Sequence, residues 1–573
     1  MNIHAINVIA RYEVKLLKRS WLFRIFAVLA LFILTIAQLS NFTPLFWKYA
    51  ETWNYVGATS LIPFFTVYLY NIAQSVIVIF LAGNFLKRDK KLDTAEVIYV
   101  RPMSNADYII GKVWGITRVF IGLNLITLCI ALFINLVISR SPFSIFPYLF
   151  YLFTLSIPSL WFVLGLSFTI MCLVKNQAVT FIVMLGITGT VFFYLQDRLY
   201  GVFDFFGVTL PAIFSDVVGH PSLSLFLLQR SVYLLGAIGF ICLTITLVKR
   251  LPHRPWKTLV INIIALFLIL TSGGLGVLYV LHFKKIEAER EVYVSVFNTY
   301  AERPKVDISA YEIDITPRGE RLEAESRLRV RNKQKNEIES VILYLNPGLK
   351  IITIEQAGKI LDFHREQQVI EIFQKLRAGE EAEYVLKYEG GIEENICYTD
   401  VEEKDFMSHP AGKTFYFRYG KRYAFLSDTY TLLTPECIWY PVAESPVSPA
   451  NPYSIRKDFA NYKLTVRYAG DKVVLSQGKR VCGEGRVIFT DTIPFCGISL
   501  TIGAYETKAV SVDSTDYELY YFRGHDDFMV HFDALQDTLP AIIREIRADL
   551  EVVKNRNYPF RKFCMVEVPL SFT

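Results

Sequence analysis

The stretch Thr258–Leu281, TLVINIIALFLILTSGGLGVLYVL, holds about two dozen residues without one charged side chain. At about 1.5 Å rise per residue, a helix of that length crosses a hydrocarbon core of about 30 Å, and being apolar on every face it has no side to turn toward water. It reads as a membrane span. Lys249, Arg250, Arg254 and Lys257 crowd its N-terminal side. Basic residues stay on the cytoplasmic side of a membrane, so that end is expected inside and Phe283 onward outside. The chain before this stretch reads as membrane protein, and the chain after it reads as water-soluble protein.

Bulk composition agrees with the division. Hydrophobic residues make up 53% of 573 positions and charged residues 20%. The first figure is high for a soluble protein and the second too high for a purely transmembrane one, so at least two classes of domain are present. The net charge of +6 is small for this length, and the basic residues collect in loops between apolar runs. Anionic lipid and topology selection account for them there, and nucleic acid is not an expected partner. Cys129, Cys172 and Cys242 fall in apolar runs, whereas Cys397, Cys437, Cys482, Cys496 and Cys564 lie beyond the last span. No C-x-x-C spacing indicates a zinc knuckle or a redox pair; buried thiols are the simpler reading, with a pair such as Cys482 and Cys496 left open.

Asn2 to Trp21 is not a cleavable signal: Ile6, Val8, Ile9, Val14, Leu16 and Leu17 interleave with Arg11, Lys15, Lys18 and Arg19, the pattern of a basic amphipathic helix lying at the cytoplasmic interface. Seven apolar runs come next, near Leu22–Leu39, Leu61–Leu86, Val113–Ile138, Ile145–Val174, Ala178–Leu195, Ser231–Val248 and Thr258–Leu281. With the N-terminus inside, about fifteen Lys and Arg fall in cytoplasmic segments, against Lys48, Arg140, Arg198 and Arg230 outside. Asn71, Gln74 and Asn84 within the spans are polar groups that lipid penalises, so they are expected to face other helices or a partner subunit. The outer connection Gln196–Arg230 is long but greasy, with Phe203, Phe205, Phe206, Leu210, Pro211, Ile213 and Phe214, and suggests re-entrant or interfacial helices.

The inner connection Lys87–Lys112, KRDKKLDTAEVIYVRPMSNADYIIGK, combines a helical stretch around Leu92–Val100 with Pro102-x-Ser104 and Gly111-Lys112. An amphipathic leading helix, six spans and a cytoplasmic segment with Glu96, the apolar patch Val97–Val100, Pro102-x-Ser104 and Gly111-Lys112 together resemble the permease subunits of type-2 ABC exporters. In that family the segment between the second and third spans docks on the ATPase. The resemblance therefore implies a coupling role for Leu92, Glu96, Val97, Ile98, Tyr99, Arg101 and Pro102, and a dimer with a second copy or with another permease. No G-x-x-x-x-G-K-[ST] is present, so an ATPase would be a separate chain.

Phe283 to Pro304 is expected to continue the seventh helix as a stalk that breaks at Pro304. Beyond it the period changes from helical to alternating: Tyr311, Ile313 and Ile315, then Leu322, Ala324, Ser326, Leu328 and Val330, with turns at Pro317-Arg318-Gly319, Asn346-Pro347-Gly348 and Arg377-Ala378-Gly379. A two-sheet antiparallel β-sandwich from about Val306 to Tyr505 is the economical fold. Asp526–Glu551 is then helical, with Phe528, Phe532, Leu535, Leu539, Ile542, Ile543, Ile546 and Leu550 on one face, and Lys562–Val568 alternates as a strand. The chain divides into an amphipathic helix at 1–21, a six-span membrane bundle at 22–248 and a seventh span with stalk at 249–304. An extracytoplasmic β domain at 305–506 and the incomplete start of an α/β domain at 507–573 complete the division.

The landmarks Leu376-x-x-Gly379-Glu380, Leu386-x-Tyr388-x-Gly390, Trp439-Tyr440-Pro441, Val474-Leu475-Ser476-x-Gly478, Thr492-x-Pro494, Ile502-Gly503-x-Tyr505 and Tyr558-Pro559-Phe560 before Val566-x-Val568-Pro569 resemble the N-terminal half of the aminopeptidase-N-like zinc metallopeptidases. That family carries zinc on His-Glu-x-x-His with a distant Glu, after a Gly-x-Met-Glu-Asn strand; neither motif occurs in this sequence. No His-x-x-x-His exists, and His525 and His531 do not share a helix face. The cofactor reading is accordingly none in this chain, with zinc in a catalytic half if one is present. The resemblance makes Glu436, in the bend Thr434-Pro435-Glu436-Cys437, a candidate for a substrate ammonium contact, against the alternative of a solvated turn carboxylate.

The sequence is compatible with three functions. One is an exporter permease in the bacterial inner membrane, N-terminus cytoplasmic and residues 283–573 outside, with a separate ATPase and an external aminopeptidase-like module. Another is the front part of a membrane-tethered zinc aminopeptidase. The third is a scaffold that binds peptides without cleaving them.

Overall fold

The computed structural model describes residues 2–42, 59–83, 103–139, 142–248, 255–407, 419–445, 459–526 and 537–572. They form two compact units, Met1–Phe283 with His409–Gly420, and Lys284–Ser408 with Lys421–Thr573.

Among the described residues the first unit is helical: α1 (Ile3–Arg19), α2 (Trp21–Phe42), α3 (Leu61–Gly83), α4 (Asn105–Phe133), α5 (Ile145–Tyr151), α6 (Ile157–Val174), α7 (Gln177–Thr190), α8 (Leu223–Leu247) and the start of α9 (Pro255–Tyr300). π-helical turns extend three of the rods: Ile134–Ser139 after α4, Leu152–Ser156 between α5 and α6, and Val191–Leu195 after α7. Among the described residues, seven helical segments are long and apolar enough to cross a membrane. Helix α9 runs unbroken through the apolar stretch into the charged stalk and ends at Tyr300, ahead of Pro304.

Local chemistry sets several limits differently from hydropathy. The third span begins at Asn105, not Val113, because Ser104 and Asp107 form a capping box: Asp107 N donates to Ser104 Oγ at 3.1 Å and Ser104 N to Asp107 Oδ2 at 3.1 Å. Gly111 and Lys112 therefore lie inside a helix. Helix α1 presents buried Ile6, Ala10, Glu13 and Leu17, a one-face spacing, and packs on α4. A Cβ at Gly111 would sit 2.8 Å from Ile9 Cβ, and one at Gly115 2.7 Å from Glu13 Cβ. Lys112 Nζ meets Glu13 Oε1 at 2.6 Å in a buried ion pair.

The expected re-entrant or interfacial helices at Gln196–Arg230 are not found. From Gln196 to Ser222 the chain holds one short 3₁₀ turn, Arg198–Gly201, and otherwise irregular backbone. Arg230, expected in an outer loop, lies inside α8 and is buried. The cause is Asp204: its carboxylate accepts from Gly207 N at 3.0 Å, Thr209 N at 2.6 Å and Thr209 Oγ1 at 2.9 Å, and a side chain that captures backbone donors competes with helix formation.

The second unit is sheet-rich. Strands β1 (Asp307–Arg318) and β2 (Arg321–Arg331) form a hairpin turned by Gly319 at φ +58°. With β4 (Leu349–Gln356), β5 (Lys359–Ile360), β8 (Glu381–Gly390), β11 (Asn461–Arg467), β13 (Lys479–Gly483) and β14 (Arg486–Thr490) they make an eight-stranded sheet ordered β13-β14-β11-β1-β2-β8-β4-β5. Strand β2 alternates exposed and buried residues along its whole length, as the sequence period requires.

An all-antiparallel arrangement does not hold. β1 and β11 pair in parallel, Ile313 opposite Leu464 and Ile315 opposite Val466; a period of two records which face is buried and is blind to strand direction. A four-stranded sheet combines β9 (Phe425–Leu426), β10 (Thr431–Leu433), β12 (Val473–Leu475) and β15 (Leu500–Gly503). A three-stranded sheet combines β3 (Val341–Tyr344), β6 (Phe363–Glu366) and β7 (Val369–Ile372). The unit is thus several sheets of mixed direction. One core joins them, including Leu328, Leu386, Tyr388, Leu433, Trp439, Leu464 and Leu500.

The last part forms its own sheet, β16 (Tyr505–Val512), β17 (Thr515–Phe522) and β18 (Lys562–Val566), with β17 and β18 parallel and α11 (Leu539–Lys554) between them in sequence; a short α10 (Glu403–Met407) precedes β9. Residues 527–536 of the expected Asp526–Glu551 helix lie outside the described residues. Helix α11 stops where Asn555 turns left-handed at φ +49°, a residue type that tolerates that region.

Candidate functional site

Glu436 lies on a bend built to be rigid. Pro435 opens a 3₁₀ turn, Pro435–Cys437, at a position where its missing N–H costs nothing. Ile438 closes it at φ +42°, a left-handed conformation that a β-branched side chain adopts only when its surroundings impose it. Asn346 imposes it. Its backbone N donates to Ile438 O at 2.9 Å and its Nδ2 to Cys437 O at 2.7 Å and Glu393 O at 3.0 Å, while Oδ1 accepts from Gly348 N and Glu393 N, both at 2.9 Å. One buried amide therefore ties the Asn346-Pro347-Gly348 turn, the Glu393 segment and the Glu436 bend together.

The surroundings of Glu436 are apolar and aromatic, with Cys397 and Tyr440 fully buried and Tyr398 close by. Burial pushes the Cys397 thiol and the Tyr398 phenol well above their ordinary values, and the Glu436 carboxylate adds to both shifts. Glu436 itself is half-buried and has no hydrogen-bond or ion-pair partner among the described residues. Its neighbour Glu394 is fully engaged: Arg422 Nε and Nη2 reach Oε1 at 2.8 and 2.6 Å, and Tyr423 N reaches Oε2 at 2.6 Å. Glu393 is held above its ordinary value chiefly by burial. The buried Arg290 guanidinium, on the stalk part of α9, donates to the carbonyls of Asn395 at 3.1 Å, Cys397 at 2.7 Å and Val401 at 3.0 Å, and lies over the Phe406 ring at 3.8 Å. The wall around Glu436 is thus fixed on several sides, and its carboxylate can accept N–H donors.

The sequence-derived coupling residues Leu92, Glu96, Val97, Ile98, Tyr99, Arg101 and Pro102 lie outside the described residues, as does Asn84. Of that pattern, the structure places Ser104 as an N-cap and Gly111 and Lys112 at the α1–α4 contact.

A polar centre inside the helical unit was only partly legible. Asn71 and Gln74 do face other elements: Asn71 Nδ2 donates to Phe206 O at 2.8 Å and Gln74 Nε2 to Ser156 O at 3.4 Å. Around the irregular 200–206 backbone, side-chain donors meet one carbonyl after another. Tyr279 takes Tyr200 O at 3.0 Å, Gln229 takes Gly201 O at 2.6 Å, Tyr233 takes Val202 O, Arg230 takes Asp204 O at 2.7 Å and Ser159 takes Phe205 O. Non-helical backbone survives at such depth only when surrounding protein satisfies it. The signal that could have found this arrangement is Arg230 with six apolar or hydroxyl residues ahead of it, Leu223–Leu228, which makes it an intrahelical charge and not a loop residue.

The metallopeptidase resemblance implies zinc, which takes about four nitrogen, sulfur or carboxylate ligands on converging side chains. Among the described residues no three His, Cys, Asp or Glu converge in that way, and His525 is engaged with Glu567 at 2.6 Å. The described residues do not fit the metal. No disulfide joins the eight cysteines; Cys397 and Cys437 are buried, and Cys482 and Cys496 are exposed.

No family model and no curated protein matches the chain. Solved structures similar to it include a two-domain M1 zinc metallopeptidase with bound L-tryptophan, at 17% identity and a TM-score of 0.29, covering 39% of this chain and 49% of that one. An M1 zinc metallopeptidase from Deinococcus radiodurans with a bound Tyr-Ser-Ala substrate has 15% identity and a TM-score of 0.30, covering 46% of this chain and 56% of that one. Legionella pneumophila aminopeptidase A in complex with aspartic acid has 13% identity and a TM-score of 0.33, covering 47% and 29%. The chain thus spans about half the length of the first of these structures, and its structural neighbours are M1 zinc aminopeptidases of low overall similarity.

Proposed function

We propose that this chain is a membrane-anchored, peptide-binding module of aminopeptidase-like design: seven apolar helices hold it in a membrane, and the sheet-rich unit supplies one wall of a peptide site whose hydrolytic, zinc-bearing half lies in another polypeptide segment. The observation that carries the reading is Glu436, a half-buried carboxylate without a partner among the described residues, on a bend that Asn346 locks. A half-buried anion among aromatic and apolar groups attracts a compact cation, and the free amino terminus of a peptide supplies one with three donors.

The second reading, an exporter permease driven by a separate ABC ATPase docked on Leu92–Arg101, is supported by the sequence pattern of the inner connection. It is joined by the Ser104 capping box and the Glu13–Lys112 pair, which brace the start of α4 directly after that connection. In either reading the N-terminus is cytoplasmic, residues 283–573 are extracytoplasmic, and the partners are lipid and a second permease-like subunit.

The test uses the full chain in detergent and fluorescent tripeptides with free or acetylated amino termini. A charge-assisted hydrogen bond contributes about 1.5–3 kcal/mol, so acetylation and Glu436→Gln should each weaken binding by roughly 10–100-fold. Equal affinity for free and acetylated peptides would reject the ammonium site.

A further inference from the structure

Helix α1 has two sides of opposite character. Its buried side, with Ile6, Ala10, Glu13 and Leu17, is taken up by α4. The two helices are joined again near the N-terminus, where Asn2 N donates to Asp107 Oδ1 and Arg118 Nη2 to Asn7 Oδ1, each at 2.8 Å. The apolar face is therefore spent on protein and is not what holds α1 against lipid. Arg11, Lys15 and Lys18 recur at helical spacing on the opposite side and are exposed, as is Arg19 in the last turn. Arg24, one turn into α2, is exposed too. Its Nε donates to Lys18 O at 2.7 Å across the break at Ser20, which fixes its guanidinium at the corner between the two helices.

From Met1 to Phe42 the sequence holds these five Lys and Arg and one acidic residue, Glu13. Glu13 is buried against Lys112 Nζ at 2.6 Å, so nothing acidic on either helix offsets the exposed cations. Beside the corner, Trp21, Ile25, Val28 and Phe32 form a stripe along one face of α2 and are between 48% and 72% exposed. Cations and stripe adjoin through Arg24, which lies one turn from both Trp21 and Val28. A soluble acidic partner would meet the cations and leave the stripe bare, whereas a phospholipid supplies an anion and an acyl chain together. Lys and Arg beside the end of a span lie at headgroup depth, where anionic lipid attracts them, and Trp favours the same depth. We infer that the α1–α2 corner is a binding site for a phospholipid of net negative charge, its phosphate against Lys18, Arg19 and Arg24 and its chain along the Trp21–Phe32 stripe. The inference rests on the membrane anchoring proposed above and not on the peptide reading of Glu436.

Two measurements on the full chain test it. Washing membranes with alkaline carbonate tests the anchoring, and thermal unfolding in detergent, titrated with phosphatidylglycerol or with phosphatidylcholine of the same acyl chains, tests the site. A ligand bound only by the folded state raises the melting temperature as its concentration grows. The chain should stay in the washed membranes, and phosphatidylglycerol should give a saturable rise that neither phosphatidylcholine nor soluble glycerol phosphate reproduces. Each cation at a membrane surface strengthens binding by about fivefold, so Lys18→Gln/Arg19→Gln/Arg24→Gln should raise the half-saturating concentration about 100-fold. The melting temperature in phosphatidylcholine is each variant's own baseline. Lys18→Arg/Arg19→Lys keeps the charge and should leave the half-saturating concentration within about twofold. Release by carbonate would overturn the anchoring and the site together. Retention with equal rises in the two lipids, a rise that survives the triple variant unchanged, or one that glycerol phosphate reproduces would overturn the site alone.

Discussion

The two units use polar side chains in opposite ways. In the helical unit Asp204, Arg230, Gln229 and Asn71 are buried and spend their hydrogen bonds on irregular backbone between Gly201 and Thr209. In the sheet-rich unit most of the main chain satisfies itself through strand ladders, buried side chains such as Asn346 and Arg290 meet carbonyls in the loops, and the charges of β2 and β8 stand on the exposed face as pairs such as Arg327–Glu383 at 3.5 Å and Arg331–Glu381 at 3.9 Å. The same residue types therefore meet irregular backbone in one unit and, on the strands of the other, pair with each other at the surface. Where water is excluded, an unmet backbone group costs its full desolvation, and side chains are recruited to meet it.

That contrast can be broken by substitution. Arg230→Ala removes a buried charge that caps two carbonyls and should cost about 3–5 kcal/mol, read as loss of thermal stability of the detergent-solubilised chain. A loss below about 1 kcal/mol would mean that water already reaches the Asp204 backbone. Arg327→Ala on the sheet surface should cost at most about 0.5 kcal/mol in the same measurement. If the surface change proves as damaging as the buried one, the distinction between the units fails.

Between these extremes lies a pH effect in the second unit. Burial, then the carboxylates of Glu289 and Glu394, hold Glu393 above its ordinary value of 4.5 against the opposing Asn395 N–H. A carboxyl group with a raised folded value favours the folded state fully at low pH, and that contribution is lost as pH climbs from 4.5 through the raised value. Glu393→Gln should flatten the fall in stability between pH 4.5 and neutrality, seen as converging melting temperatures across that range. A slope unchanged by the substitution would assign the pH dependence to other groups.

The neighbours of Glu436 divide in the same way between local and distant causes. The bend at Thr434-Pro435-Glu436-Cys437 was legible, because proline opening a turn is a local preference. Its bracing was not: Asn346 is about ninety residues away and reads in sequence only as a turn residue. Arg290 likewise reads as one charge in a stalk of charges, yet it is buried among carbonyls separated from it by more than one hundred positions.

By itself, the sequence determined the seven apolar helices, the long ninth helix through Thr258–Leu281 into the stalk, and the change to alternation after Pro304. These arise from period and apolar length, which each segment carries within itself. Tertiary structure alone decided that β1 and β11 run parallel, that Gln196–Ser222 is not helical, and that Lys112 is paired to Glu13. Strand direction, the satisfaction of buried backbone and a charge's burial depend on partners distant in the chain, and a residue's own type and its neighbours in sequence do not record which partner it meets.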